Sequence, residues 1–173
     1  MKKYILNILI FILFTNLSNS QKLDSLYVSR INDTILSKYL NEKRSIEIQL
    51  PRSYEANPDK KYPLMIVLDG DYMFNVVAGS VDYLSYWGDI PENLIVGINQ
   101  KDTRFKDSSV LDNITHTPIT STASFYDFIV NEVIPYFSKN YRISKFRVIL
   151  GQERTANFAN FFLLKKIQFY FGL

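Results

Sequence analysis

The sequence predicts an α/β fold in which a mostly parallel sheet carries an N-terminal antiparallel strand pair and helices on both faces. Short runs of consecutive apolar residues alternate along the chain with segments whose apolar residues recur at helical spacing. That order is typical of a parallel sheet covered by helices. Hydrophobic residues make up 47% and charged residues 21% of the 173 residues, an ordinary balance for one globular domain.

The antiparallel pair is predicted from residues 34–40 and 44–50. In the second segment apolar and polar side chains alternate, as they do in a strand with one wet face. Residues 41–43 are expected to form the turn between the two strands, and Pro51 ends the second strand.

Three runs of apolar residues predict the buried strands of the parallel part, namely residues 64–68, 94–98 and 147–150. Three helices are predicted between or after them, from Tyr72 to before Gly88, from Phe125 to Phe137 with a disturbance at Pro135, and from Thr155 to Lys166. The polar stretch at residues 99–122 is long for a loop, which indicates either function or mobility.

The first 20 residues have the pattern of a secretory signal peptide. Lys2 and Lys3 supply the positive start, residues 5–14 the apolar stretch, and residues 17–20 the small side chains before a cleavage point. The apolar stretch is far shorter than the ~20 residues that a membrane-spanning helix needs. We therefore expect export to the periplasm or medium, with no membrane attachment after cleavage, and a domain at residues 21–173.

Composition excludes several classes of partner and cofactor. Without Lys2 and Lys3 the chain has 20 − 2 = 18 basic against 17 acidic residues, so no nucleic-acid partner is expected. The absence of cysteine excludes disulfides, thiolate metal sites and a cysteine nucleophile. His116 is the single histidine of the chain, which excludes a histidine-rich metal site. We expect neither a metal nor a cofactor.

Four segments follow one another in an order that carries a family resemblance. Residues 44–54 read R-S-I-E-I-Q-L-P-R-S-Y, residues 61–70 read K-Y-P-L-M-I-V-L-D-G, residues 94–98 read L-I-V-G-I, and residues 128–142 contain E-V-I-P-Y-F and N-Y-R. The set resembles the putative-esterase family of the α/β-hydrolase fold, which includes enterobactin-type esterases and S-formylglutathione hydrolases. The resemblance covers residues from about 40 to 165 and implies an incomplete α/β-hydrolase-like sheet.

The resemblance also implies where the nucleophile of the family would lie. Relatives carry G-H-S-x-G-G on a tight turn between a strand and a helix, and the serine is the nucleophile. The matching residues here read G-Q-E-R-T-A from Gly151 to Ala156. Gln152 stands in place of the histidine, Glu153 in place of the serine, and Thr155 in place of a glycine. A β-branched threonine is expected to be large for a turn in which strand and helix come close.

Glu153 is a poor substitute for the serine. A carboxylate has no proton for a base to remove, its attack would give a mixed anhydride, and its charge opposes a developing oxyanion. In this fold the serine is followed by an acid and then by a histidine, yet no Asp, Glu or His follows Glu153. His116 precedes the turn and is expected to be an ordinary loop residue. We therefore expect an inactive chain.

The roles of Asp71 with Tyr72, and of Glu153, each have two possible interpretations. By the resemblance, backbone N–H groups near Asp71 and Tyr72 would face the site as an oxyanion hole, although the same residues also suit a plain strand-to-helix turn. Glu153 would either cap the first turn of its helix, as acids near a helix N-terminus do, or bind a ligand.

The predicted function is that of an exported, inactive esterase-family protein that binds a small acyl or ester ligand. The alternatives are a non-enzymatic ligand- or protein-binding module of the periplasm, and a fragment of a serine hydrolase acting on small acyl esters. Relatives continue with further strands, so the aromatic ending at residues 167–173 predicts a C-terminal truncation. The strand at residues 147–150 would then lie at an exposed sheet edge. The oligomeric state stays open.

Overall fold

The structure is a computed structural model that describes residues 28–109 and 120–164. Three subjects of the sequence predictions lie outside the described residues: the expected signal peptide at residues 1–20, His116, and the aromatic ending at residues 167–173. The statements about them stay predictions.

The described residues form five strands and five α-helices, with a π-helical segment between the third and fourth helix. In chain order they are β1 (Arg30–Ser37), β2 (Glu42–Gln49), β3 (Tyr62–Val67), α1 (Gly70–Tyr86), β4 (Leu94–Ile98), α2 (Arg104–Ser108), α3 (Thr120–Phe128), the π-helical segment (Ile129–Val133), α4 (Ile134–Asn140), β5 (Ile143–Leu150) and α5 (Arg154–Leu164).

The strands form one sheet in the order β1-β2-β4-β3-β5. β2 runs antiparallel to β1 and β4, whereas β3 runs parallel to β4 and β5. Four strands therefore point the same way and only β2 opposes them, which confirms the predicted mostly parallel sheet with its antiparallel pair. All residues of β4 are buried, as expected for a central strand with helices on both faces.

The helices cover both faces of the sheet, as predicted. On one face, Phe74, Val77 and Val81 of α1 pack against Val67 and Ile95. On the other face, α3, α4, α5 and the π-helical segment supply the aromatic part of the core, which includes Phe125, Phe128, Phe137, Phe158 and Phe162. Within residues 28–109 and 120–164, no helix has the length and apolar character to cross a membrane.

The first hairpin is displaced from its predicted position. β1 ends at Ser37, the turn lies at residues 38–41, and residues 42–43 already belong to β2. Asn41 reverses the chain with φ 53, a left-handed conformation that asparagine tolerates. Leu40 lies in this turn and is nevertheless buried, so an apolar residue that looked like part of a strand instead anchors the turn to the core.

β5 is an edge strand and not the fully buried strand that its apolar run predicts. Among the described residues it pairs only with β3, and most of its residues are half-buried or exposed. The prediction of full burial is wrong for residues 147–150, which are half-buried. The exposure of this sheet edge expected from a truncation stays a prediction, since residues 165–173 lie outside the described residues.

The disturbance expected at Pro135 takes the form of a π-helical turn just before it. Proline lacks an N–H donor, and its ring crowds the carbonyl four residues earlier in an α-helix. In the π-helical segment the N–H of Ile134 reaches the carbonyl of Ile129, five residues back. α4 then begins with Pro135 in its first turn, where the missing donor is tolerated.

A buried ion pair joins β2 to α2. The side chains of Arg44 and Asp107 are 3% and 1% exposed. Asp107 Oδ2 also accepts hydrogen bonds from Gln100 Nε2 at 3.1 Å and from Thr103 Oγ1 at 2.7 Å. Burial alone would lower the pKa of Arg44, but the hydrogen bonds and negative charges of Asp107 and Glu42 together outweigh burial and raise that pKa. Both charges are therefore compensated inside the fold.

Asp107→Ala is expected to destabilise the protein by up to about 3–5 kcal/mol, because it removes the buried one of the two carboxylates that pair with Arg44 and leaves only the half-buried Glu42. Asp82→Ala serves as the matched control, since Asp82 pairs with Arg52, whose side chain is 32% exposed. That variant should lose no more than about 1 kcal/mol. Urea unfolding measures both, and equal losses in the two variants would contradict a special role for the buried pair.

A second polar contact connects β1 to α4, and its contribution to stability depends on pH. The Tyr136 hydroxyl donates to Asp33 Oδ2, and the Thr34 N–H donates to Asp33 Oδ1 at 2.7 Å. The hydrogen bond from Tyr136, followed by that from Thr34, lowers the pKa of Asp33 from its ordinary value of 3.8. Because the folded pKa is depressed, this stabilisation is fully present above the unfolded pKa and is lost as pH falls through the folded pKa.

Tyr136→Phe is expected to raise the pKa of Asp33 toward 3.8, since the larger of the two hydrogen bonds is removed. The stability advantage of the unmodified protein over this variant should be largest near neutral pH and should shrink as pH falls below about 4. Urea unfolding at several pH values measures it, with Tyr39→Phe at an exposed tyrosine as control. An advantage that did not change with pH would exclude the proposed coupling.

Candidate functional site

Three chain reversals meet at the carboxyl ends of neighbouring strands. They are Leu68–Asp69 after β3, the segment from Asn99 to Arg104 after β4, and residues 151–153 after β5. Because β3, β4 and β5 run parallel, these ends lie at one edge of the sheet, where ligand sites of open α/β sheets form.

The reversal after β5 has the geometry of a nucleophile elbow. Glu153 adopts φ 51, a left-handed conformation that is strained for any residue with a side chain. Its side chain is 77% exposed, and α5 begins at the next residue. A sharp turn of this kind between a strand and a helix is what presents a nucleophile above the sheet in hydrolases.

Gly151 and Thr155 hold this turn closed. A Cβ atom at Gly151 would lie 2.6 Å from the carbonyl carbon of Thr155, so strand end and helix touch through the backbone. Thr155 is fully buried, and its Oγ1 accepts the Gln152 N–H at 2.8 Å and donates to Asp69 Oδ2 at 2.7 Å. The expectation that threonine is too large here is therefore wrong, because its hydroxyl bonds inside the turn.

Asp69 lies at the centre of the site. It has φ 54 and its carboxylate is 1% exposed. Besides the Thr155 hydroxyl, that carboxylate accepts Arg104 Nε at 2.8 Å, and the Asp69 N–H donates to Gln100 Oε1 at 3.0 Å. One buried acid thus joins the reversal after β3 to the reversal after β4 and to the first turn of α5.

Gln152 closes the space between the reversals after β3 and β5. The Tyr72 hydroxyl lies 3.1 Å from Gln152 Oε1 and also 3.1 Å from Asp69 Oδ2. Burial, followed by the hydrogen bond to Asp69, raises the pKa of Tyr72, which keeps this phenol protonated at neutral pH. Arg104 Nη2 donates to the Gln152 carbonyl at 3.0 Å. Gln152, which stands in place of the family's histidine, therefore connects Tyr72 and Arg104 by hydrogen bonds.

The Glu153 side chain makes no capping hydrogen bond to the first turn of α5. Its carboxylate makes no hydrogen bond with any described residue, and its nearest opposite charge is Arg104 Nη2, 3.9 Å from Oε2. Glu153 nevertheless lies at the start of α5, where its carbonyl accepts the Asn157 N–H at 3.0 Å, so the favourable interaction of its charge with the helix dipole stays a prediction. The alternative role as a carboxylate that faces a ligand stays a prediction.

The two oxyanion-hole candidates differ in the state of their backbone donors. The Tyr72 N–H already donates to the Asp69 carbonyl at 3.1 Å. No described residue accepts the N–H of Asp71 or that of Arg154, the residue after the elbow position. In hydrolases the hole combines one donor from each of these two turns. The prediction of an oxyanion hole at Asp71 and Tyr72 stays a prediction, with Asp71 the better placed donor.

An open depression of about 480 Å³ lies beside the elbow and is lined by Arg104, Glu153, Arg154 and Asn157. The Arg154 guanidinium lies 4.5 Å from the centroid of the Phe105 ring, and its Nη1 donates to Ser109 Oγ at 2.9 Å. Both arginines are therefore held in place by the protein at the rim of this depression.

Sequence reasoning missed Gln100, Arg104 and Thr155 as site residues. Gln100 and Arg104 come soon after the central strand, so the carboxyl end of that strand was the signal that could have found them. Chemically, the described residues offer a buried acid, a phenol and an exposed carboxylate, but no hydroxyl paired with a histidine. They also contain no group of three His, Asp or Glu residues that could hold a metal ion.

Comparison with known proteins identifies the family. The profile of the family described as "Putative esterase" matches residues 37–169, more than half of the chain. The chain belongs to this family and has its hydrolase-like fold. No curated protein matches the chain.

Solved structures agree with the assignment. An uncharacterised protein from Capnocytophaga ochracea is 26% identical with a TM-score of 0.68, over 80% of this chain and 37% of that one. An IroE-like serine hydrolase from Shewanella oneidensis is 25% identical with a TM-score of 0.68, over 79% and 46%. The enterobactin esterase of Shigella flexneri is 20% identical with a TM-score of 0.61, over 82% and 34%, which shows the fold alone. The chain thus spans less than half the length of these three proteins.

Gly151→Ala is expected to destabilise the protein by about 1–3 kcal/mol, because the new methyl group overlaps backbone atoms of Thr155 and Ala156 that cannot move without opening the elbow. Gly79→Ala is the control, since nothing lies within 4 Å of a Cβ at that helical position. It should be neutral or stabilising by up to about 1 kcal/mol. Thermal and urea unfolding measure both, and a neutral Gly151→Ala would mean that the elbow is not tightly packed.

Proposed function

We propose that the chain is a non-catalytic member of the esterase family that binds a small acyl or ester ligand at the elbow. The observation that carries this proposal is Glu153. The turn keeps the strained backbone and exposed side chain of a nucleophile elbow, while the residue presented there is a carboxylate.

The argument against turnover is chemical. Acyl transfer needs a nucleophile whose proton a base can remove, and Glu153 has no such proton at neutral pH. The nearby Thr155 hydroxyl is buried and bonded to Asp69 and Gln152, so it cannot reach a substrate carbonyl.

The argument for binding is that hydrogen bonds within the protein already fix the geometry of the site, although the site lacks a nucleophile. Asp69, Thr155 and Gln152 fix the turns by hydrogen bonds, so little ordering is needed when a ligand enters. The N–H groups of Asp71 and Arg154 have no described acceptor and suit a carbonyl oxygen. A ligand with an acyl group matches these donors.

Export and location are part of the same proposal. The charged and apolar pattern of residues 1–20 supports secretion to the periplasm or medium. The protein would then bind its ligand in that compartment. Neither nucleic acid nor a membrane is proposed as a partner of the mature chain.

A protein-binding module is the second candidate, and exposed aromatic rings favour it. Tyr83, Tyr86 and Trp87 at the end of α1 are 64%, 64% and 65% exposed. Both tyrosine rings contact Trp87, with centroid distances of 6.5 Å from Tyr83 and 5.2 Å from Tyr86. Such a cluster suits a protein surface. The fragment of an active serine hydrolase is disfavoured because Glu153 occupies the elbow.

Purified chain is expected to hydrolyse p-nitrophenyl acetate and butyrate no faster than buffer, because the elbow lacks a nucleophile and a base. The measurement is release of p-nitrophenol across a range of ester concentrations, with Glu153→Ala as the matched variant. Saturable hydrolysis that disappears in Glu153→Ala would overturn the non-catalytic assignment. A background rate unchanged in the variant would agree with it.

A further inference from the structure

We infer that the ligand of the elbow site carries a carboxylate, and that the carboxylate binds in the depression between Arg104 and Arg154. The inference rests on the proposed ligand-binding function and specifies the chemical class of the ligand. Its basis is that two guanidinium groups on separate segments line one open volume of about 480 Å³.

Arg104 is positioned before any ligand arrives. Its Nε donates to Asp69 and its Nη2 to the Gln152 carbonyl, at 2.8 Å and 3.0 Å. The hydrogen bond to the buried Asp69 carboxylate raises the pKa of Arg104, which keeps the guanidinium charged. No described residue accepts a hydrogen bond from its Nη1, and the side chain is 30% exposed at the rim of the depression.

Arg154 is positioned independently from the other side. Its guanidinium lies over the Phe105 ring and donates one hydrogen bond from Nη1 to Ser109 Oγ. No described residue accepts a hydrogen bond from its Nε or Nη2. A planar guanidinium whose geometry is already fixed binds a carboxylate with less loss of side-chain freedom.

The charges that line the depression favour an anion. Arg154 is paired with no carboxylate among the described residues, whereas Arg104 is already paired with the buried Asp69. Glu153 adds one negative charge to the lining and Asn157 an uncharged amide. Glu153 lies 3.9 Å from Arg104 and therefore competes weakly for that guanidinium. The N-terminus of α5 adds a favourable field for an anion at this position. The negative charge of Glu153 therefore lowers the affinity for an anion, and removing that charge should raise it.

The test uses four ligands of similar shape, benzoate, benzamide, methyl benzoate and benzylamine, titrated by calorimetry into the full chain at neutral pH. Benzoate is expected to bind more tightly than the neutral and cationic compounds. Arg154→Gln should weaken benzoate by about tenfold or more, because a charge-assisted pair is lost. Glu153→Gln should tighten it by a few fold, since a like charge is removed. Arg30→Gln, at an arginine of β1, is the control and should leave the affinity unchanged.

Each contrary result has a distinct meaning. If benzamide and the neutral ester methyl benzoate bind as well as benzoate, and Arg154→Gln has no effect, the carboxylate inference fails while ligand binding at the elbow stands. Preference for benzylamine, lost in Glu153→Gln, would overturn the inference in favour of a cation. If none of the four compounds binds, both this inference and the proposed function fail. Glu153→Gln changes only an exposed side chain, so it remains informative should Arg154→Gln unfold.

Discussion

The buried carboxylate of Asp69 is the constraint on which the site depends. It accepts hydrogen bonds from Arg104, in the reversal after β4, and from Thr155, in the first turn of α5, while Asp69 itself follows β3. A buried charge is tolerated only when donors surround it. The segments that donate to Asp69 must therefore stay in contact for its carboxylate to remain buried. The geometry of the elbow depends on these hydrogen bonds and not on the side chain at position 153.

The Gln100 side chain connects Asp69 to a second buried acid, Asp107. Gln100 accepts the Asp69 N–H with its Oε1 and donates its Nε2 to Asp107, which in turn binds Arg44. The Gln100 amide is 1% exposed, and both ends of it are used. The polar contacts of the site thus continue across the sheet edge to β2, so the position of Arg104 is set by a connected set of hydrogen bonds.

The sheet was predictable and the contacts of the site were not. Consecutive apolar residues such as those of β4 predict a buried strand because two-sided burial leaves no room for alternation. β5 has the same pattern, yet lies at the edge among the described strands, because a pattern reports the apolar character of a strand and not its neighbours. Family resemblance located Gly151 and Glu153 by their place in a motif. It could not find Arg104 or the inward hydroxyl of Thr155, because these depend on contacts between segments 35 and 86 residues apart.

The exposed position of Glu153 also makes this turn a convenient place for a reporter. The side chain projects to solvent from a turn whose backbone is fixed on both sides, and it borders the depression next to the two arginines. Because the natural chain has no cysteine, a single cysteine introduced there would be the only thiol in the molecule. A dye attached to it would sense the local environment of the depression directly, without the background labelling that complicates such work in cysteine-containing proteins.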